Sequence, residues 1–467
     1  MFRSRAPHSI DMTEGSLLKN VLFFALPLMF SGILQLLFNA ADTIVVGRYA
    51  GEQALAAVGS TGSLNNLIVS LFIGLSTGSN VVVARQMGAR NYKGVQDAVH
   101  TSVTVSIISG IFLAFLGCFL ARPMLTMMGS PDDVIDLSVL YMRIIFLGMP
   151  VQMVYNFCAA ILRSVGDTKR PLYFLTVAGV INVALNLLFV IGFGMTVDGV
   201  ALATIISQAV SAVLVVRSLM LREDAVRLNL RRLRIVPSML AKIVKIGLPS
   251  GVQGSVFAIS NVLIQSSVNS FGTIVMAGNA AAANIGGFVY QGISAFVQAV
   301  TSFVSQNFGA RKPRRALHSM WVCHMWSFVF TFSLGLFTVI FSEQLLSLYN
   351  TDPDVIALGM KRSLYMHIPY FLCAFMEIFS GALRGIGYSL LPMAISLLGA
   401  CAFRIVWIYT IFQKVHTMDC LYLSYPVSWF ITAVVMGYFF FLLYKRVCKD
   451  SLPRSSAPAD ARRVSCG

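Results

Sequence analysis

One helical face in the first long apolar run of the chain carries residues that can bind a proton or a cation. Gln35, Asn39 and Asp42 recur at i, i+4 and i+7, so a helix places their side chains on one side. An ionised Asp inside a bilayer costs about 2.5–3.5 kcal/mol on insertion scales, and an acid within a span therefore indicates function. The alternative is an Asp at a helix end that headgroup water hydrates, because Arg48 follows closely.

Polar side chains also lie deep in the fourth, fifth and sixth apolar runs of the first half. Asn182 and Asn186 are spaced i, i+4 and face one way. A carboxylate with amide oxygens is the ligand set that a proton or Na⁺ requires. The alternative is interhelical hydrogen bonding, worth about 0.6 kcal/mol for each bond. We predict a coupling site, a site that binds the ion whose gradient would drive the protein, with a proton or Na⁺ at Asp42. Its residues are Asp42, Asn39, Asn182, Asn186, Tyr141, Asn156 and Thr204.

The second half contains a different polar set, since the residue that repeats the position of Asp42 is Ile264. Glu377 and Arg404 lie within apolar runs, and we expect them to pair because pairing lowers the cost of burying both charges. A structural salt bridge and a substrate site are both open interpretations of this pair. The predicted substrate cavity is lined by Gln35, Gln253, Gln291, Glu377 and Arg404.

Composition places these residues in a membrane. Of 467 residues, 57% are hydrophobic and 12% are charged, whereas soluble domains carry about 25% charged residues. A helix that spans a bilayer needs about 20 apolar residues. Apolar runs of that length fall at about 21–46, 57–84, 98–120, 138–162, 172–193, 199–221, 243–268, 278–305, 319–341, 358–383, 392–412 and 424–444. The sequence therefore predicts an all-α polytopic membrane protein with twelve transmembrane helices.

The distribution of Lys and Arg predicts how the chain is oriented. If the N-terminus lies inside, 28 of the 35 basic residues fall on the inner side and six on the outer side. Cytoplasmic loops carry such an excess. We therefore expect both termini in the cytoplasm. The net charge of +16 then follows from topology and from attraction to anionic lipid, with no nucleic-acid partner.

The chain contains an internal repeat. Gly88-Ala89-Arg90 recurs as Gly309-Ala310-Arg311, and Leu162-Arg163 recurs as Leu383-Arg384, both at an offset of 221 residues. Each half has six apolar runs, so both halves enter the membrane in the same direction, as a parallel repeat, and we expect a shared cavity between them. The expected divisions are a loose N-terminal segment at 1–15, six-helix bundles at 16–221 and 240–444, a basic cytoplasmic linker at 222–239 and a disordered cytoplasmic tail at 445–467.

Four prolines lie inside the apolar runs at matching places in the two halves: Pro27, Pro150, Pro249 and Pro369. Proline is tolerated in a membrane helix where neighbouring groups satisfy the freed carbonyl. Such sites are hinge candidates, and the alternative is a static kink.

Motifs of enzymes and metal sites are missing from the sequence. The chain has no GxGxxG, Walker, HExxH or GxSxG pattern. Its eight cysteines form no CxxC and no Cys/His cluster, which argues against a metal site and a disulfide framework. We expect neither an enzyme nor a bound cofactor.

In combination, Asn39-Ala-Ala-Asp42, Gly88-Ala89-Arg90 and the two Leu-Arg-x-x-Gly loops resemble the multidrug and toxic compound extrusion (MATE) transporters over about residues 15–445. The resemblance implies a V-shaped pair of bundles that exchanges inward-open and outward-open states in the plasma membrane of a bacterium. It also implies that Asp42 is the acid of the first helix. Its implied polar partners are Tyr141, Asn156, Asn182, Asn186 and Thr204. Some relatives carry an acid where Asn186 stands.

The resemblance implies two candidate functions. The first is a secondary antiporter that exports cationic amphipathic compounds in exchange for H⁺ or Na⁺ and works as a monomer. The second is a flippase for lipid-linked oligosaccharide, on a similar scaffold, which requires a basic cavity wall to meet the pyrophosphate.

Overall fold

The computed structural model describes residues 9–128 and 132–451, and every regular element in those ranges is helical. The helices are α1 Leu17–Val45, α2 Glu52–Gly88, α3 Tyr92–Met127, α4 Asp132–Leu147, α5 Met149–Ser164, α6 Lys169–Leu187, α7 Val197–Met220, α8 Pro237–Asn269, α9 Thr273–Gly309, α10 Pro313–Ile340, α11 Ser342–Ser347, α12 Pro353–His367, α13 Tyr370–Gly385, α14 Leu390–Ser396, α15 Phe403–Lys414 and α16 Met418–Ser451. Short π-helical segments extend α1 and α6 and join α14 to α15.

Twelve membrane spans result from these helices. Ten are single spans that are long and apolar enough to cross a bilayer. The other two are bent pairs: α4 meets α5 at 47°, and α12 meets α13 at 42°. Pro150 and Pro369 lie at these two bends, whereas Pro27 and Pro249 lie inside the unbroken helices α1 and α8. The prediction of twelve transmembrane helices is confirmed, and the hinge role of the four prolines stays a prediction.

Alternate spans run in opposite directions, so Leu17, Gly88 and Pro313 lie at one face of the molecule, the terminal face. The opposite face is the distal face. Two matching loops at the terminal face show the repeat in the backbone. Arg90 and Arg311 follow α2 and α9 with φ of 54° and 55°, the left-handed conformation that commonly ends a helix.

The two halves of the sequence exchange the beginnings of their first helices. The early part of α1 packs in the core of the second half, where Phe24 meets Phe303 edge to face at 5.5 Å. Its later part, around Val45, packs with α7 of the first half. Correspondingly, Ile243 of α8 packs in the first-half core, and Ile264 packs in the second. In space the chain forms two lobes, one for each half of the sequence. The predicted bundles at 16–221 and 240–444 differ from these lobes at the starts of α1 and α8, each of which packs in the lobe of the other half.

Glycines allow the two lobes to touch along α2 and α8. Gly74 and Gly78 of α2 face Gly247 and Gly251 of α8, a GxxxG spacing on both helices. A Cβ on Gly74 would lie 2.2 Å from the backbone N of Gly251, and one on Gly251 would lie 2.2 Å from the carbonyl oxygen of Leu71. Any larger residue would force the helices apart. We call this contact the glycine crossing.

A second contact between the lobes lies nearer the terminal face, and it is reciprocal. A Cβ on Gly88 would lie 1.9 Å from the carbonyl oxygen of Gln306, and one on Gly309 would lie 2.1 Å from that of Arg85. These two pairs are related by the repeat offset of 221 residues. Repeat-equivalent surfaces therefore meet across a local two-fold axis, as in an isologous interface.

Residues 10–15 bridge the lobes at the terminal face, and we call them the strap. The backbone N–H of Ile10 donates to the carbonyl oxygen of Gly166 at 3.1 Å. Asn307 and Arg315 of the other lobe donate to the carbonyl oxygen of Met12 at 3.0 and 3.2 Å, and the Met12 side chain is fully buried. The prediction of a loose segment is therefore wrong for residues 9–15, because side chains distant in sequence satisfy this backbone. Residues 1–8 lie outside the described residues.

The segment between the two halves is docked on the first lobe. Arg222 forms buried ion pairs with Asp224 at 2.7 Å and with Asp167 at 3.1 Å. Further along, the backbone N–H of Val236 donates to Thr101 Oγ1 at 3.0 Å. The linker predicted at 222–239 ends where α8 begins at Pro237. The tail predicted from residue 445 begins as a continuation of α16 to Ser451, and the remainder lies outside the described residues.

The glycine crossing leads to a stability prediction. Gly251→Ala puts a methyl group into the Leu71 backbone, and overpacking of this kind costs about 1–3 kcal/mol. Gly62→Ala is the matched control on α2, since its Cβ would meet no atom within 4 Å. We expect thermal unfolding in detergent to occur at a lower temperature for Gly251→Ala and at an equal or higher one for Gly62→Ala. Equal midpoints for both variants would contradict the crossing as a tight contact.

Candidate functional site

A cavity of about 1230 Å³ lies between the two lobes. Both halves of the chain line it, and its wall extends from Arg163 and Arg384, toward the terminal face, to Asp42 and Val268, toward the distal face. The glycine crossing borders it, because Gly74 of the crossing is part of the same wall. Drug-sized pockets measure about 300–1,000 Å³, so this cavity is large enough for one small molecule.

A chain of hydrogen bonds connects Asp42 to two other helices of the first lobe. Asn186 Nδ2 on α6 donates to Asp42 Oδ1. The same amide approaches Asn182 Oδ1 at 3.5 Å, and Asn182 Nδ2 approaches Thr204 Oγ1 on α7 at 3.5 Å. Thr204 in turn donates to the carbonyl oxygen of Val200 at 2.9 Å. Four of the seven predicted coupling residues therefore form one connected group.

Packing holds this group in place. A Cβ on Gly179 would lie 1.8 Å from the ring of Phe38, so glycine lets α1 approach α6 closely one turn from Asp42. Asn186 is fully buried behind the cavity wall, whereas Asp42 and Asn182 are part of that wall. The buried Asn186 Oδ1 has no hydrogen-bond partner among the described residues. An amide oxygen, a hydroxyl and a carboxylate thus converge at one place, a donor set that suits a proton or Na⁺.

The remaining three predicted coupling residues lie in the same wall but do not join the connected group. Asn39, Tyr141 and Asn156 all line the cavity. Within the described part of the chain, none of the three hydrogen-bonds to Asp42. The structure therefore places them in the cavity and outside the connected group, and their role in coupling stays a prediction.

The five residues predicted to line a substrate cavity all lie in its wall: Gln35, Gln253, Gln291, Glu377 and Arg404. Gln253 Nε2 on α8 donates to Ser396 Oγ on α14 at 3.0 Å. Gln291 of α9 packs against Gly32 of α1, where a Cβ would lie 2.3 Å from its side-chain oxygen. These glutamines therefore connect helices as well as face the cavity.

The expected ion pair between Glu377 and Arg404 is wrong. The carboxylate of Glu377 lies 3.9 Å from Arg384, seven residues later on α13 and so on the same helix face. Arg404 turns away from it and toward α16. Its Nε donates to Ser428 Oγ at 2.9 Å, and its guanidinium lies 4.2 Å from the ring centre of Tyr425.

Sequence reasoning missed several residues of the cavity wall. Arg362, one of the six basic residues that we counted on the outer side, lines the cavity and donates to the carbonyl oxygen of Asn279 at 2.5 Å. Tyr425 and Trp429, which flank Arg404, were also missed. Their i, i+4 spacing in the last apolar run was the available signal. The signal for Arg362 was a charged residue within the apolar run at 358–383.

The family model described as MatE matches residues 27–188 and again residues 249–410. The two matched ranges begin 222 residues apart, in agreement with the internal repeat, and together they cover more than half of the chain. The chain belongs to the multidrug and toxic compound extrusion (MATE) family.

Individual relatives extend over most of the chain. The probable multidrug resistance protein YoeA of Bacillus subtilis (strain 168) is 26% identical over 93% of this chain and 96% of its own length. The FAD transporter of Shewanella oneidensis is 25% identical over 90% of this chain and 92% of its own length.

A solved structure shows the same fold. The outward-facing conformation of a multidrug resistance MATE family transporter aligns with a TM-score of 0.89 at 22% identity, over 95% of this chain and all of that chain. The all-α architecture predicted from the sequence is confirmed.

The buried amide of Asn186 leads to a second prediction. Asn186→Leu removes the donor to Asp42 and leaves a carboxylate without that bond, which costs about 1–3 kcal/mol. Asn39→Leu is the matched control, since Asn39 lies on the same wall without a bond to Asp42. Thermal unfolding in detergent should show the larger decrease for Asn186→Leu. A decrease of the same size in Asn39→Leu would contradict the assigned partner.

Proposed function

We propose that this protein is a secondary multidrug efflux antiporter that exports amphipathic cations in exchange for H⁺ or Na⁺. The observation that carries the proposal is Asp42, a carboxylate in the wall of a cavity between two lobes of a membrane protein, held by Asn186. Membership of the MATE family supports it, as does the name of the relative YoeA, a probable multidrug resistance protein.

Exchange of the ion for the cargo follows if each of them, when bound at Asp42, lowers the affinity of the cavity for the other. A proton or Na⁺ at this carboxylate removes the negative charge that attracts a cationic cargo, so the two ligands bind with negative coupling. Asn182 and Thr204 supply the neighbouring oxygens that Na⁺ needs, and Asn186 orients the carboxylate. The ion gradient then drives cargo release on the side where the ion enters.

The arrangement of the lobes supports an outward-facing state. The terminal face is closed by the glycine crossing, the Gly88–Gly309 contact and the strap. We propose that this face lies in the cytoplasm with both termini, because an excess of basic residues is typical of cytoplasmic loops. The cavity is then reached from outside the cell. Alternating access requires the lobes to separate at the terminal face, with the bends at Pro150 and Pro369 and the prolines of α1 and α8 as hinges.

We further propose that the protein acts as a monomer in the plasma membrane of a bacterium. Both lobes and the whole cavity wall come from one chain, so no second copy is needed to complete the site. No cofactor enters the mechanism, since the coupling ion is a transported substrate.

A second candidate function is transport of phosphate-bearing amphipathic cargo, which includes the lipid-linked oligosaccharide of a flippase. The observation that favours it is the second-lobe wall, which holds Arg362, Arg384 and Arg404 against the single acid Glu377. The name of the FAD transporter relative also favours it, since FAD carries phosphates. If this candidate holds, FAD should displace a bound dye from the purified protein at a far lower concentration than riboflavin, which lacks phosphate.

The decisive experiment measures dye movement in proteoliposomes. The probe is the fluorescent cation tetramethylrhodamine methyl ester, with a pH gradient and a Na⁺ gradient imposed separately. We expect one of the two gradients to drive dye movement, and Asp42→Asn to reduce it to the rate of protein-free liposomes, because the variant keeps the side-chain shape and loses the charge.

The matched control is Asp136→Asn. Asp136 is an exposed acid paired with Arg122 at 2.9 Å, outside the cavity wall. Its exposed pair contributes about 0–1 kcal/mol, and the variant should transport dye like the wild type. Full transport by Asp42→Asn, or no response of the wild type to either gradient, would overturn the antiporter proposal.

A further inference from the structure

Arg404 is a buried cation whose hydrogen-bonding capacity is incompletely used. The residue is 2% exposed and forms part of the cavity wall. Within the described ranges, no carboxylate lies within 4.0 Å of it, and its Nη2 has no hydrogen-bond acceptor. Arginine within a membrane span usually pairs with an acid or with backbone carbonyls. Arg404 departs from that rule.

Its neighbours hold the guanidinium without neutralising it. Ser428 Oγ accepts from Nε at 2.9 Å, and the rings of Tyr425 and Trp429 lie 4.2 and 5.6 Å from the guanidinium carbon. Cation–π contacts offset part of the cost of burial, but the charge remains. The opposite edge of the guanidinium is the fork that recognises carboxylate and phosphate.

The other two arginines of this wall have partners of a different kind. Arg362 donates to the carbonyl oxygen of Asn279 at 2.5 Å. Arg384 Nε also has no hydrogen-bond acceptor among the described residues, but the carboxylate of Glu377 lies 3.9 Å from Arg384 and forms an ion pair with it. Arg404 is therefore the arginine of this wall that, within the described ranges, has neither a carboxylate within 4.0 Å nor a backbone carbonyl as acceptor.

We propose that Arg404 binds an anionic group of the cargo, so that the cavity selects amphipathic zwitterions. The acidic group of the cargo meets Arg404 on the second lobe, and its cationic group meets the Asp42 wall on the first lobe. This inference rests on the proposed transport function and adds the substrate class.

Tetramethylrhodamine and its methyl ester test the inference. Both dyes carry the same cationic ring system. Tetramethylrhodamine has a free carboxylate at the position where its methyl ester has an ester group. Their affinities for the purified protein are measured by fluorescence anisotropy. We expect Arg404→Gln to weaken binding of the free acid by about 10- to 100-fold, the effect of a hydrogen bond to a charged group, and to leave the ester within about twofold.

Two further variants keep the result interpretable. Arg404→Lys retains the charge and loses the fork, so its affinity for the acid should fall between those of the wild type and Arg404→Gln. Arg122→Gln, at an exposed position outside the cavity wall, should bind both dyes normally. Size-exclusion profiles identify variants that fail to fold. If Arg404→Gln fails to fold, Arg404→Lys tests the anion site instead. A ratio of acid to ester affinity below that of the wild type supports the site, and an unchanged ratio contradicts it.

Equal losses for acid and ester in Arg404→Gln would overturn the anion site and assign Arg404 a structural role. That outcome is distinct from failure of the proposed function, in which the wild type moves neither dye under either gradient. A lower affinity for the acid in Arg404→Gln without gradient-driven transport by the wild type would support the anion site alone.

A different observation supports a second inference, about the strap. It contacts both lobes: Gly166 of the first through Ile10, and Asn307 and Arg315 of the second through Met12. Separation of the lobes at the terminal face must break one set of these contacts. We infer that the strap restrains opening at this face and releases Gly166 in each transport cycle.

Gly166→Ala tests the restraint. Gly166 has φ of +88°, and a Cβ there would lie 2.3 Å from the carbonyl oxygen of Ile10, so the variant displaces the strap. Gly194→Ala is the matched control, because Gly194 has φ of +66° and a Cβ there would meet no atom within 4 Å. Both variants carry the same type of backbone strain.

The readout is alkylation by N-ethylmaleimide of Ser302→Cys, a buried position where the lobes meet and Ser302 donates to Asn80 at 3.1 Å. Mass spectrometry resolves it from the native cysteines. We expect Gly166→Ala to raise its alkylation rate about three- to tenfold, the effect of losing one hydrogen bond, and Gly194→Ala to leave the rate unchanged. Arg315→Gln, which weakens the strap without backbone strain, should act like Gly166→Ala. Unchanged rates in Gly166→Ala and Arg315→Gln would overturn the restraint.

Discussion

The glycine crossing of α2 and α8 is the contact on which the rest of the structure depends. Four glycines let two helix backbones touch directly, and the cavity exists because the lobes meet there and diverge toward the distal face. Because backbone meets backbone, the geometry of this contact does not depend on side-chain rotamers. The reciprocal Gly88–Gly309 contact repeats this solution nearer the terminal face.

The two lobes share a scaffold and differ in the chemistry of the cavity wall. On the first lobe, Asp42 has an amide donor and neighbouring oxygens. On the second lobe, Arg404 is held by aromatic rings and a hydroxyl and keeps its charge. A first-lobe wall with the acid Asp42 thus faces a second-lobe wall rich in arginine, an asymmetry that the shared scaffold does not require.

Much of this architecture could be predicted from the sequence, because span length, loop charge and the repeat are local or linear patterns. Asp42, Asn182 and Asn186 were predictable for the same reason, since an acid and i, i+4 amides stand out in apolar runs. The partner of Glu377 was not, because two helices supply equally plausible arginines and packing alone chooses Arg384. The strap was missed since its order comes from Asn307 and Arg315, about 300 residues away.

The exchanged beginnings of α1 and α8 bear on the origin of the fold. A single half would leave the start of its first helix, with apolar residues such as Phe24, without a lobe to pack on. Two copies that trade these segments satisfy each other, which is the geometry of a domain-swapped dimer. A half-length chain with this fold could complete both lobes only by pairing with a second copy. The segment between α7 and α8, which joins the two halves, makes this association independent of concentration and leaves each half free to carry its own charges.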